Sequence, residues 1–237
     1  MTEDRKPKRE IGGDGGSAWL DGLPEPVAGI DEVGRGPWAG PIVAAAVMLR
    51  SIRPDGLADS KVLSARRRVA LDREIRAQAS VAVAVVAASE IDRIGLTAAN
   101  DAAMLRAAAE LEASEGPIGS LAVDGRRIPQ GCRWPARAVI GGDGRVAAIA
   151  AASIVAKVAR DRLMEELDAR HPGYGWSTNR GYGTAAHASA LAALGPSPEH
   201  RRCFAPVAAA LASNPDPIGS TGISARTASG DTVKRRG

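Results

Sequence analysis

Apolar runs and polar stretches alternate along the chain at intervals that suit strands and helices in turn. Val27 to Ile30 and Ile42 to Leu49 have the length and character of strands. Ser64 is placed to cap a helix over Ala65 to Gln78, which carries arginines at 66, 67, 68, 73 and 76. Ser80 to Ala88 (SVAVAVVAA) is an uninterrupted, valine-rich run and predicts a buried strand. Ser89 then caps a short helix. Thr97 to Ala113 predicts an alanine-rich helix with apolar positions at Ala99, Ala103, Leu105 and Ala109. Gly119 to Gly125 and Arg137 to Asp143 are two further strand-like runs. Val146 to Arg170 reads as one long helix, buried in its apolar first half, charged in its second, and ended by Pro172. A loop, HPGYGWSTNRGYGT, leads to a helix over Ala185 to Leu194, and Phe204 to Leu211 adds a last helical segment. Residues 1–22 are polar and glycine-rich and predict a flexible tail; residues 213–237 predict a disordered one. Between them, residues 23–212 form one domain of the α/β class.

Three of the apolar runs deliver carboxylates at their ends: Asp31 with Glu32, then Asp124, then Asp143. Strand ends in one sheet can converge from distant parts of a chain. Four acids in one place repel each other unless cations bind them, and Mg²⁺ takes carboxylates together with water and phosphate oxygens. Two such ions a few ångströms apart suit phosphodiester cleavage. Each acid also has a plainer reading. Asp31 and Glu32 can sit in a solvated hairpin turn, Asp124-Gly125 is a common turn pair, and Asp143 is placed to cap the long helix. Neighbours on a regular strand point to opposite faces, so Asp31 and Glu32 share one site only if the backbone bends. Gly34 and Gly36 make such a bend plausible.

Composition narrows the classes. A hydrophobic fraction of 45% supports a real core, and 3% aromatic residues argue against a base-stacking platform for single strands. The net charge of +4 is compatible with a nucleic-acid face without requiring one. Cys132 and Cys203 have no metal-ligand spacing, and a reducing compartment suits them. The charged start MTEDRKPKRE has no apolar segment of the secretory kind, and no run is long enough to span a bilayer. The cytoplasm is therefore the expected location.

The motifs AGIDEVGRGPWAGP, LADSKVLS, LAVDG, IAAASIVAKVARDR, NRGYGT with His187, and HRRCFAPV occur in that order. Together they closely resemble the ribonuclease HII family, from about Val27 to Leu211. The resemblance implies a ribonuclease H-like fold: a mixed central sheet flanked by helices, with a helical C-terminal part. It implies an endoribonuclease that uses Mg²⁺ or Mn²⁺, with two ions expected, to cut the RNA strand of RNA–DNA hybrids. Such enzymes also incise 5′ to a single ribonucleotide in duplex DNA, leaving 3′-hydroxyl and 5′-phosphate ends. That activity belongs to ribonucleotide excision repair and DNA replication. Asp31, Glu32, Asp124 and Asp143 match the family's metal ligands. Gly34, Arg35 and Gly36 match the motif that reads the ribose 2′-hydroxyl, Tyr182 matches the junction-sensing tyrosine, and Lys61 is expected near a substrate phosphate.

Three positions depart from the family pattern. Gly141 precedes Gly142-Asp143 where Lys is frequent, Arg180 stands where Lys is common, and Cys203 replaces a frequent Ser. Asp161 is expected to pair with Lys157 at i,i+4, and His187 is expected to be structural. The competing reading is a hybrid-binding module of the same fold without catalysis. The intact acids argue against it, because a binding face would be stronger without their charge. Nothing in the sequence demands more than a monomer, and it assigns no replication partner, such as a sliding clamp, to the tails.

Overall fold

Alternation within Ile42–Leu49 sets the architecture. Ile42, Ala44 and Ala46 enter one core, while Val43, Ala45 and Val47 enter another. A strand buried on both faces needs a helical layer on each side. The structure, a computed structural model, describes residues 17–49, 56–57 and 63–213. Its strands are β1 (Val27–Val33), β2 (Ile42–Leu49), β3 (Ala79–Val86), β4 (Ser120–Asp124) and β5 (Ala136–Val139). They form a mixed sheet in the order β3-β2-β1-β4-β5. β1, β2 and β3 are antiparallel neighbours, and β4 and β5 run parallel to β1.

The helices are α1 (Ala65–Gln78), α2 (Ala88–Ile94), α3 (Leu96–Glu115), α4 (Ala147–Arg170), α5 (Trp176–Asn179), α6 (Ala185–Leu194) and α7 (Ala205–Ser213). α3 covers one face of the sheet through Ala99, Ala103, Ala107 and Leu111. α1 and α4 cover the other through Leu71, Ile75, Ala151 and Ile154. The approach of α4 is unusually close. A Cβ at Gly29 would lie 2.2 Å from the Ala148 carbonyl carbon and 2.4 Å from the Ile149 nitrogen. Only glycine lets the helix backbone rest on β1 there. Asp31, two residues on, shares that face with Gly29. No helix among the described residues is long and apolar enough to cross a membrane.

The mixed sheet flanked by helices agrees with the expected fold, and α1 and α6 match their predicted limits. Four details differ. β1 continues through Asp31 and Glu32, paired with β2 as far as Val33↔Val43, so the acids lie within the strand and the backbone does not bend between them. Ser89 lies inside α2, whose N-cap is Ala87 without a side-chain bond. On α3 the buried stripe includes Met104, Ala107 and Leu111, whereas Ala109 is exposed and Leu105 only half-buried. In an alanine-rich helix the few large side chains choose the face. Finally, structure begins by Ser17 rather than after residue 22. A 3-10 turn spans Ser17–Trp19, and Leu20 and Leu23 pack on the cluster around Ile149. Arg137 donates to the carbonyls of Trp19 (2.8 Å) and Asp21 (2.9 Å). Residues 1–16 and 214–237, most of both expected tails, lie outside the described residues.

Candidate active site

The parallel pairing of β1 and β4 brings the first acids together. Its last register pair is Ile30↔Val123, so Asp31 and Asp124 emerge side by side one residue further on. Asp31 is 6% exposed and accepts the Glu32 amide at 2.7 Å. Its burial, then the charges of Asp124 and Glu32, raise its carboxyl well above the usual range. The Ser153 hydroxyl, carried by α4 across the Gly29 contact, hydrogen-bonds to it and acts in the opposite sense.

Asp143 joins from beyond β5. Gly141, left-handed at φ 62°, starts a 3-10 turn over Gly142–Gly144. The Gly142 amide donates to Asp124 Oδ1 at 2.7 Å and ties this turn to the tip of β4. Asp143 is buried at 6% exposure and does not cap α4, whose N-cap position is Val146. That removes the plainer reading of Asp143.

Glu32 faces the other way, as strand alternation requires. It lies 3.8 Å from Arg35 Nη1. It lines a cleft of about 70 Å³ on the α3 side, together with Asn100, Asp124 and Arg127. Arg127 holds the β4 loop against α3 through both oxygens of Asp101.

Among the described residues no three His, Cys, Asp or Glu side chains converge into a ready-made metal cluster. The donors nonetheless suit a hard cation. They are carboxylate oxygens, and burial first, then the charges of Asp124 and Glu32, raise the Asp31 carboxyl. The pairs Asp31/Asp124 and Glu32/Asp124 and the adjoining Asp143 turn would hold such ions.

The glycine motif stands beside these acids. Gly34 has φ 98°, and a Cβ there would meet Arg160 Nε at 2.3 Å. A Cβ at Gly36 would lie 3.5 Å from a ring carbon of Tyr182, so the tyrosine ring stands against the Gly36 backbone. Tyr182 is 47% exposed, leaving much of its surface to a ligand. Trp38 locks the two motifs together: its amide donates to the Gly181 carbonyl at 2.8 Å, and its indole lies on Gly183.

Two buried arginines that sequence reasoning missed support this surface. Arg201 donates to the carbonyls of Gly34 (2.6 Å), Arg35 (3.0 Å) and Gly40 (2.8 and 2.9 Å). Arg160 donates to those of Pro41 (3.0 Å), Ala39 (3.4 Å) and Arg180 (3.0 Å). Burial lowers their pKa values to about 9 and about 10, yet both remain cations at neutral pH. Carbonyls of a loop that joins no ladder need donors, and that need was the available signal.

Arg180, which stands where Lys is common, is engaged with α4. It donates to the Asp161 carbonyl (3.1 Å) and to Glu165 (2.9 Å). Lys157 and Asp161 form the expected ion pair. Lys61 lies outside the described residues.

His187 is structural, as expected, and acts with His200. The Trp176 indole N–H donates to His187 Nε2 at 3.1 Å, which leaves the His187 Nδ1–H to donate to the Tyr182 carbonyl at 2.9 Å. His200 Nε2 stands 3.1 Å from the same His187 nitrogen, and its Nδ1 accepts the Ser197 amide at 3.0 Å. With both rings neutral the Trp176, Tyr182 and Ser197 bonds are made, and the His200 Nε2–H shares the single lone pair of His187 Nε2 with the Trp176 indole. Burial depresses His187, and burial with the neighbouring His187 lowers His200 to about 4. An unfolded histidine titrates near ~6.5, so above that pH neither state takes up protons at these sites. Below it the unfolded chain binds protons that the folded chain refuses, and stability falls as pH drops from about 6.5 towards 4. Asp31, with a raised folded pKa, has the opposite sign. Comparison with a His200→Gln variant isolates the histidine. Its melting temperature is expected to vary less across this window than that of the parent, and parallel curves would contradict the assignment.

Residues 28–207 match the family described as Ribonuclease HII. A ribonuclease HII from Jannaschia sp. (strain CCS1) is 52% identical over 186 residues, covering 78% of this chain and 92% of the relative. Among solved structures, ribonuclease H2 from Pyrococcus horikoshii OT3 aligns with a TM-score of 0.66 at 23% identity, covering 79% of this chain and 97% of the other. Bst-RNase HIII in complex with Mn²⁺ aligns with a TM-score of 0.67 at 22% identity, covering 90% and 75%. The two structural likenesses carry the fold. The sequence matches carry the family, so this chain belongs to the ribonuclease HII family and is an endoribonuclease.

Proposed function

We propose that the chain hydrolyses the RNA strand of RNA–DNA hybrids and incises 5′ to single ribonucleotides in duplex DNA, with Mg²⁺ or Mn²⁺ as cofactor. The products are a 3′-hydroxyl and a 5′-phosphate. One observation carries the reading: the Tyr182 ring stands against Gly36, 3.5 Å from where a Cβ there would lie, in the loop that follows the acids of β1. The 2′-hydroxyl distinguishes RNA from DNA, and reading it requires a backbone that a ribose can approach. Gly34 and Gly36 offer that approach, Arg35 adds a half-exposed guanidinium, and Tyr182 presents a flat ring to the neighbouring nucleotide.

Asp31, Glu32, Asp124 and Asp143 hold the cations in this reading, and Bst-RNase HIII has been solved with Mn²⁺. When bound, divalent cations supply Lewis acidity to the attacking water and to the leaving 3′ oxygen. Ser153 fixes the orientation of Asp31. Arg160 and Arg201 hold the recognition loop in register with the acids. Lys61 is assigned to a substrate phosphate on the resemblance alone.

The test pairs a duplex containing one ribonucleotide with its all-DNA counterpart. Arg35→Ala is expected to reduce cleavage at the ribonucleotide by roughly tenfold or more, the size of one lost polar contact. An unchanged rate and preference would remove Arg35 and its flanking glycines from recognition.

A further inference from the structure

The turn that leaves β4 carries two adjacent arginines in different conditions. Arg127 is fixed, because its guanidinium donates to both carboxylate oxygens of Asp101. The Gln130 amide joins the same carboxylate at 3.2 Å. On the other side, the Gly125 amide donates to the Val139 carbonyl at 3.0 Å. The turn is thus held before and after Arg126. Arg126 itself is exposed and makes no hydrogen bond or ion pair among the described residues. It lines the cleft beside Glu32 and Asp124, together with Arg127 and with Arg35 of the glycine motif. Arg35 faces Glu32 at 3.8 Å and Arg127 is engaged by Asp101, so Arg126 is the lining arginine without a carboxylate. The space around the turn is open: a Cβ at Gly125 would meet nothing within 4 Å. A guanidinium presented on a fixed turn is matched by an oxyanion brought from outside. Glu32 and Asp124 repel such a group, and a cation beside them offsets that repulsion.

We propose that Arg126 binds a backbone phosphate of the ribonucleotide-containing strand, next to the ribonucleotide held at Gly34, Arg35 and Gly36. This rests on the nucleic-acid substrate proposed above. A phosphate contact places the duplex without reading it, so Arg126 contributes to affinity and register and not to the choice between RNA and DNA.

The test is binding, without metal, of a duplex carrying one ribonucleotide, with the salt concentration varied. Arg126→Ala is expected to raise the dissociation constant about fivefold at low salt and to reduce the salt slope by about one. Arg126→Lys should restore most of both, because charge alone carries the salt dependence. Both variants should melt with the parent, since Arg126 has no partner in the fold to lose. A methylphosphonate, which removes the charge of a single phosphate, localises the contact. At one of the phosphates flanking the ribonucleotide it should weaken binding by the parent and leave Arg126→Ala unaffected. Parent-like affinity and salt slope in Arg126→Ala overturn the proposal. So do losses that add at every flanking phosphate, because the arginine would then act through net charge alone. If the parent itself fails to bind the duplex, the substrate assignment falls and the role of Arg126 falls with it. Binding by the parent with no effect of Arg126 removes only the latter.

Discussion

Replacing Asp124 with asparagine is expected to lower the cleavage rate about 10³-fold or more while leaving the fold and hybrid binding intact. Asp124 is the acid common to both sides of β1. It emerges beside Asp31, it lines the Glu32 cleft, and it anchors the Asp143 turn through Gly142. Asparagine keeps the oxygen that accepts the Gly142 amide, so the turn should stay in place. It removes a negative charge that raises Asp31, so stability should hold or improve slightly. Cation binding and the field on the scissile phosphate are what is lost. Single-turnover cleavage, metal-free hybrid binding and a melting curve on the same preparation separate these effects. Retained cleavage in a well-folded variant would remove Asp124 from the mechanism.

The second large effect is structural. Arg201→Met is expected to cost on the order of 3–5 kcal/mol and to lower the melting temperature by roughly 10 °C. Arg201 has no measurable exposure and donates to three loop carbonyls, one of them through two nitrogens. Methionine fills much of the space but leaves those carbonyls without their donor. Arg201→Lys should rescue little, because one ammonium cannot reproduce the planar fork. Since the carbonyls belong to Gly34, Arg35 and Gly40, the variant should also lose preference for ribonucleotides. A melting temperature within about 2 °C of the parent would refute the assigned role.

Much of this arrangement is readable from the residues. Helix α1 begins where Ser64 accepts the Arg67 amide, and α6 begins where Thr184 accepts the His187 amide. A side-chain cap marks a boundary chemically, so both starts are legible. α2 has no such mark, because Ala87 and Ala88 are alike, and the boundary after β3 was accordingly misplaced. The four acids are legible because each follows an apolar run. Their division between two faces of β1 is not, since it depends on whether pairing continues to Val33 or breaks at the glycines. Arg160 and Arg201 stand in charged stretches that resemble solvated surface. Only the loop they support, folded over from distant parts of the chain, shows that both are buried.

The most direct measurement is cleavage of a DNA duplex carrying a single ribonucleotide, assayed with Mg²⁺, with Mn²⁺ and with EDTA. A single nick on the 5′ side of the ribonucleotide, present with either metal and abolished by EDTA, is the predicted result. Cleavage that persists in EDTA, or tight hybrid binding with no cleavage of any ribonucleotide-containing substrate, would contradict a metal-dependent ribonuclease built on these four acids.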